Sequence, residues 1–160
     1  MEEELLKILE RDARASESKI AEMLGVAEKK VKKKIKELEE RGVIRKYKTV
    51  INWEKYGKEK VYALIDVKVT PQRDKGYDSI AERIMRFPEV KSLYLVSGHY
   101  DLSVLVQGKT MREVSSFVAE KLAPLEQVQS TVTHFILKVY KEDGDIFIEE
   151  EKDRRLAVTP

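Results

Sequence analysis

Between residues 17 and 48 the spacing of small, apolar and basic residues admits one local fold, two short helices joined by a tight turn. Ile20, Ala21 and Leu24 lie on one face of the first helix, and Gly25 falls at the turn, where a left-handed backbone is needed and glycine adopts it without a Cβ penalty. Val26 then plugs the angle between the helices. At 3.6 residues per turn Val31, Ile35 and Leu38 line one side of a second helix, which leaves Lys29, Lys33 and Lys36 on the other. Lys30, Lys32 and Lys34 add to that charge. From Lys29 to Lys48 there are ten Lys/Arg against three acids, a net of +7 in a chain whose formal total is +2, so the remainder is acidic by five charges. A cationic outward face backed by an apolar inward one is how a helix rests on its own domain while facing phosphates and base edges in the major groove of double-stranded DNA.

A lysine run by itself also describes a well-solvated helix face. Here it coincides with the Ala21, Gly25, Val31 spacing and with a distinctive segment just beyond the second helix. Gly42 stops that helix, and 43–51 is a β-prone basic run, the composition of the wing of a winged helix. Arg45, Lys46 and Lys48 are then expected to meet the sugar-phosphate backbone beside the groove.

With 160 residues the chain can hold two small domains. Its 42% hydrophobic and 38% charged residues suffice for a core and exclude global disorder. Cysteine is absent, so no disulfide framework or thiolate metal site is available. The start reads Met1 and three glutamates rather than a secretory leader, and no apolar run nears the ~20 residues that span a bilayer; a cytoplasmic protein without membrane contact is expected.

Leu5, Leu6, Ile8 and Leu9 predict a helix under the helix-turn-helix, with Ser16 as N-cap of the next. Residues 53–60, with Trp53, Tyr56 and Gly57 among charges, read as a hinge, Trp53 packing there rather than stacking on bases. From Val61 the period becomes alternating. Strands are predicted at 61–69, 90–96, 100–107 and 128–140, and helices at 80–87 and 111–122. Strand, helix, strand, strand, helix, strand is the ferredoxin-like order, an antiparallel sheet with both helices on one face. The fold class is therefore α+β: a winged helix-turn-helix at 1–52, a hinge at 53–60, a ferredoxin-like βαββαβ domain at 61–141 and an acidic tail at 142–160. The strands carry apolar residues on both sides, so the helix-free face is expected to be covered by a second copy in a homodimer.

Three stretches carry a family resemblance: Ile20-Ala21-Glu22-Met23-Leu24-Gly25-Val26, Leu38-Glu39-Glu40-Arg41-Gly42-Val43-Ile44, and Gly98-His99-Tyr100-Asp101-Leu102. Together they resemble the Lrp/AsnC, or feast/famine, family of amino-acid-responsive transcription factors over Leu5 to about Tyr140. The resemblance implies a dimer that assembles further, often to octamers, and a free amino acid bound in clefts between second domains. Two positions depart from the family pattern. Ala27 stands where Ser or Thr usually caps the recognition helix, and Lys34 stands where an arginine is common. Lysine lacks the bidentate fork that reads guanine, which shifts the balance toward phosphate attraction.

By the same resemblance Gly98, His99, Tyr100 and Asp101 form the ligand loop; glycine lets backbone amides approach a carboxylate, and Asp101 offers an acceptor for an α-ammonium. Read without the resemblance, the segment is a hairpin turn with Asp101 capping it. Thr131 and Thr133 share one face of the last strand and would add hydroxyls from a neighbouring subunit, while Ser130 points the other way. His99 and His134 have no metal-ligand spacing. No cofactor, metal or catalytic residue is expected, and the effector is a free amino acid. The expected function is regulation of amino-acid metabolism genes. The alternative is an enzyme like the sirohaem decarboxylases that share this layout, which would need a His and Arg cluster in the second domain and no basic recognition face.

Overall fold

The computed structural model describes residues 1–148. The chain divides into two compact units, Met1–Ile51 and Asn52–Pro160. In the first, helices α1 (Glu2–Arg11), α2 (Glu17–Leu24) and α3 (Glu28–Glu40) enclose Leu5, Leu9, Ile20, Ala21, Val31 and Leu38, with Leu24, Val26, Ile35 and Ile44 packed around them. The Ser16 hydroxyl accepts from Lys19 N–H at 3.2 Å, the predicted cap. Gly25 takes φ 63°, ψ 35°, and Val26 N–H reaches back to the Ala21 carbonyl. That double closure turns α2 into α3 with its last carbonyls satisfied. Ala27 begins α3 with no side-chain cap.

The segment read as the wing has no ladder of its own. Residues 45–50 form no strand. The cause is backbone hydrogen bonding: the first unit otherwise contains only helices, so a β-prone run there has no partner ladder. The segment is held by a side chain instead, the Tyr47 hydroxyl donating to Glu39 on α3 at 2.9 Å.

The second unit has the predicted order: β1 (Val61–Val69), α4 (Asp78–Ile84), β2 (Val90–Leu95), β3 (Leu102–Gly108), α5 (Met111–Phe117) and β4 (Val128–Ile136). The sheet order is β2-β3-β1-β4, antiparallel throughout. The helical period predicted to run to residue 122 breaks at Val118, where a π-helical turn covers Val118–Leu122. Ala63, Ile65, Val67, Val69, Val104 and Val106 face Ile80, Ile84, Val114, Phe117 and Leu122, so both helices cover one face. By strand register the other face carries Tyr62, Leu64, Asp66, Lys68, Ser103, Leu105, Gln107, Val132, His134 and Ile136. Leu64, Val132 and Ile136 are 37, 37 and 39% exposed there. It is more mixed than the sequence suggested, since Ile65, Leu102, Val104 and Val106 belong to the covered core. His134 Nε2 lies 3.3 Å from Asp66 on this face.

β4 ends at Ile136, four residues short of the prediction, and a small hairpin comes after it, β5 (Lys141–Glu142) with β6 (Asp145–Ile146). Its turn is Asp143-Gly144 at φ 46° and 91°. Both values are positive, as a type I′ turn requires, and Asp-Gly is the dipeptide that supplies them. The tail assigned from 142 therefore begins as ordered structure, and 149–160 lies outside the described residues. The stretch 52–60 is locally knit: Asn52 Oδ1 accepts from Lys55 N–H at 3.0 Å, and the Lys60 ammonium sits 3.4 Å over the Trp53 ring. Trp53 is thus a packing residue of this stretch. Among the described residues no helix is long and apolar enough to cross a membrane.

The two helix starts give a paired prediction. Ser16→Ala should lower, and Ala27→Ser raise, the stability of the N-terminal unit, each by about 1 kcal/mol. Calorimetric melts of the two variants check both signs.

Candidate nucleic-acid interface and ligand loop

Burial of Val31, Ile35 and Leu38 against α1 and α2 sets the rotation of α3 and hence which lysines leave the domain. Lys29, Lys30, Lys32, Lys33 and Lys36 are exposed. Lys33 and Lys36 each reach a glutamate one turn on, Glu37 at 3.9 Å and Glu40 at 3.7 Å, while staying 81 and 76% exposed. Pairs that loose and wet hold little energy and release readily to a phosphate.

Lys34 is placed differently from the other lysines of the expected DNA-facing set. Its side chain is 25% exposed, its ammonium is 2.6 Å from Glu37 and 3.7 Å from Glu2 at the start of α1. The Glu37 hydrogen bond raises its pKa, and the same bond lowers that of Glu37. Lys34 therefore ties α3 to α1, its ammonium held by Glu37 and Glu2. Arg41 closes the same cluster onto Glu2 at 3.1 Å. Arg45, Lys46 and Lys48 are exposed on the segment that Tyr47 anchors beside α3. Burial and the Glu39 bond both raise the Tyr47 pKa, which keeps the phenol in its donating form.

In the second unit the β2–β3 connection carries Gly98, at φ 134°, and exposed His99, whose ring meets Tyr100 edge-on at 4.9 Å between centroids. The loop is closed by Val96 N–H donating to the Asp101 carbonyl at 2.9 Å. Asp101 itself is engaged. Its carboxylate accepts from Val69 N–H at 3.0 Å, from the Tyr77 hydroxyl at 3.4 Å and from Lys68 at 3.3 and 3.4 Å, and is 13% exposed. The Val69 N–H, then Lys68 and Tyr77, hold its pKa below the ordinary aspartate value against the opposing effect of burial. The acceptor that the sequence suggested for an ammonium is engaged within the chain by Val69, Lys68 and Tyr77. Lys68 and Tyr77 lie 33 and 24 residues away, and no local motif marked either.

Thr131 pairs with Val67, and Thr133 with Ile65, on the helix side of edge strand β4. Thr131 shares the sheet end of the loop, but β1 lies between β4 and β3, so two strand spacings, about 10 Å, separate them. Within one chain the threonines and the loop do not converge. Among the described residues no cluster of His, Asp or Glu could hold a metal.

Sequence comparison agrees with this geometry. The winged helix-turn-helix DNA-binding profile matches residues 2–45, and the Lrp/AsnC ligand binding domain matches 62–146. The chain belongs to the Lrp/AsnC family of DNA-binding transcriptional regulators, and is not an enzyme. It is 50% identical over 160 residues to the HTH-type transcriptional regulator YugG of Bacillus subtilis, covering 99% of this chain and 96% of that one. Among solved structures it is similar to PH0061, at 23% identity and TM-score 0.77, covering 88% of this chain and 93% of the other. It is similar also to a Neisseria meningitidis regulator, NMB0573, solved as a complex with L-Met, at 23% identity and TM-score 0.73, covering 88 and 90%.

Two predictions separate the lysines and test the carboxylate. Replacing Lys29, Lys33 and Lys36 together by alanine should reduce the log-log salt slope of DNA binding by roughly 2 to 3, whereas Lys34→Ala should leave the slope unchanged and loosen the α1–α3 junction instead. Binding titrations across salt, with melting of each variant, distinguish the two. For Asp101, a lowered native pKa means that its contribution to stability is complete above the unfolded value, about 4, and is lost as pH falls through the lower native value. Wild type should lose stability in that acid window, and Asp101→Asn should be less stable at neutral pH and flatter through it, as denaturant titrations at stepped pH would show.

Proposed function

We propose that this regulator binds a free amino acid at the 98–101 loop and thereby changes its assembly or its affinity for double-stranded DNA, controlling amino-acid metabolism genes in the cytoplasm. The observation that carries the reading is a loop of fixed shape, with Gly98 at positive φ and its ends locked by Asp101, set at the end of a domain that matches a ligand-binding family. The L-Met complex of the similar Neisseria protein supports an amino acid as ligand class. Gly98, His99 and Tyr100 supply the contacts, Asp101 fixes their frame, and Thr131 and Thr133 of a neighbouring copy add hydroxyls. DNA is met by Lys29, Lys30, Lys32, Lys33, Lys36, Arg45, Lys46 and Lys48. The unit of function is a homodimer formed through the helix-free sheet face, assembling further toward an octamer; a face bearing Leu64, Leu105, Val132 and Ile136, covered by no helix among the described residues, supports it.

Electrophoretic shift on the chain's own promoter, with each of the twenty amino acids in turn, tests the reading; at least one should move the midpoint several-fold, and no response from any would overturn effector control. Leu64→Glu with Ile136→Glu should convert the dimer to a folded monomer in sedimentation at micromolar concentration. Persistence of the dimer would place its interface elsewhere.

A further inference from the structure

In an antiparallel strand residues two apart direct their N–H and C=O to the same edge. Val67 faces β3: it pairs with Leu102, and its carbonyl accepts from Asp101 N–H at 3.1 Å. Val69 therefore faces the same edge, one rung further on. β3 has not yet begun there, because the chain is still in the loop. The acceptor that the Val69 N–H finds is the Asp101 carboxylate, at 3.0 Å. A side chain thus stands in for the missing strand carbonyl and extends the β1–β3 ladder by one rung while the backbone is free to turn.

Two further groups hold that carboxylate from the two sides of the sheet. Lys68 belongs by register to the helix-free face, opposite Ser130. Tyr77, the residue that opens α4, packs against the helix-side core. β1, β3 and the start of α4 meet at one carboxylate, next in sequence to His99 and Tyr100.

We infer that Lys68 and Tyr77 are positioning residues for the ligand loop: acting through Asp101, they keep 98–101 in the shape that receives the effector, without touching it. This rests on the effector reading above. It also carries a consequence for control, since Lys68 lies on the face proposed to bind a second copy and Tyr77 lies in the helix layer. Events on either side of the sheet bear on the same loop.

The test uses the full-length chain and the variants Lys68→Met, Lys68→Arg, Tyr77→Phe and Asp101→Asn. Amide hydrogen exchange of Val69 and of residues 98–101 is measured first, because it needs no ligand. Lys68→Met and Tyr77→Phe should each speed exchange at these amides by roughly five-fold and Asp101→Asn by ten-fold or more, with the α5 and β4 amides unmoved. The Asp101 carboxyl, monitored by NMR, should titrate higher in Lys68→Met than in wild type, and Lys68→Arg should restore both readings. Calorimetric titration with whichever of the twenty amino acids binds wild type should then show affinity weakened about five-fold in Lys68→Met and Tyr77→Phe, with effector-free DNA affinity unchanged in Tyr77→Phe, whose side chain lies on the helix side of the sheet. Unaltered loop exchange in both single variants would overturn the inference, and so would altered exchange with undiminished effector affinity. If no amino acid binds wild type, the effector reading fails by itself, while the exchange data still decide whether Lys68 and Tyr77 hold the loop. Should Tyr77→Phe fail to fold, Lys68→Met against Lys68→Arg, on a half-exposed side chain, carries the decision.

Discussion

A strand that outruns its neighbour leaves a backbone N–H without an acceptor, and much of this structure is arranged around that cost. At the end of β1 the orphan is Val69, and the Asp101 carboxylate meets it. A buried donor left unmatched costs on the order of 1 to 3 kcal/mol, so the carboxylate does more than decorate a turn. It fixes where β3 starts, and thereby the shape of the loop before it. At 45–50 the same problem has no solution inside the unit, whose only regular elements are helices. That segment forms no regular element, and Tyr47 holds it by one hydrogen bond to Glu39. Partner strands thus decide which β-prone segments become sheet, and propensity does not.

The four-stranded sheet poses the complementary problem for side chains. Its helix face is closed by α4, α5 and the π-helical turn, while its other face alternates Leu64, Leu105, Val132 and Ile136 with Asp66, Lys68, Gln107 and His134. An apolar face interrupted this way can be wetted by a single chain and still reward coverage by a copy of itself. The Asp66–His134 pair bears on register in such a contact, because a partner that buried one member without the other would strand a charge.

Local determinants were legible in the sequence. Ser16, Gly25 and the two stripes Ile20, Ala21, Leu24 and Val31, Ile35, Leu38 each rest on spacings of a helical turn or so, and the structure has them where the pattern put them. The strand and helix order of the second unit was legible for the same reason. Two things were not. Lys34 looks like its neighbours in a lysine run; its near partner Glu37 is local, but the second carboxylate, Glu2, arrives from α1. Asp101 reads as a loop carboxylate with a free lone pair, and only Val69, Lys68 and Tyr77, 24 to 33 residues distant, show that it is occupied. Charge partners set by tertiary contact leave no trace in local spacing. The hairpin at 141–146 is another matter, since Asp143-Gly144 announced its turn and was absorbed into an acidic tail.

Turning Lys34 toward Glu37 and Glu2 narrows the set of side chains proposed to meet DNA. What remains is a set of exposed lysines on α3, with Arg45, Lys46 and Lys48 beyond it. Lysine ammoniums are point charges that attract phosphates without a bidentate grip on a base edge. Binding through them grows with the number of phosphates engaged, each neutralised phosphate contributing about 0.9 to the salt slope. One such helix-turn-helix gathers few contacts, and two held at fixed spacing gather twice as many at little further entropic cost. Affinity built that way depends steeply on how many copies are joined and weakly on any one side chain. On the proposed dimer, a ligand that altered the sheet-to-sheet contact would therefore act on DNA binding without touching the recognition helix, and a loop framed from both faces of that sheet is where such a ligand has leverage.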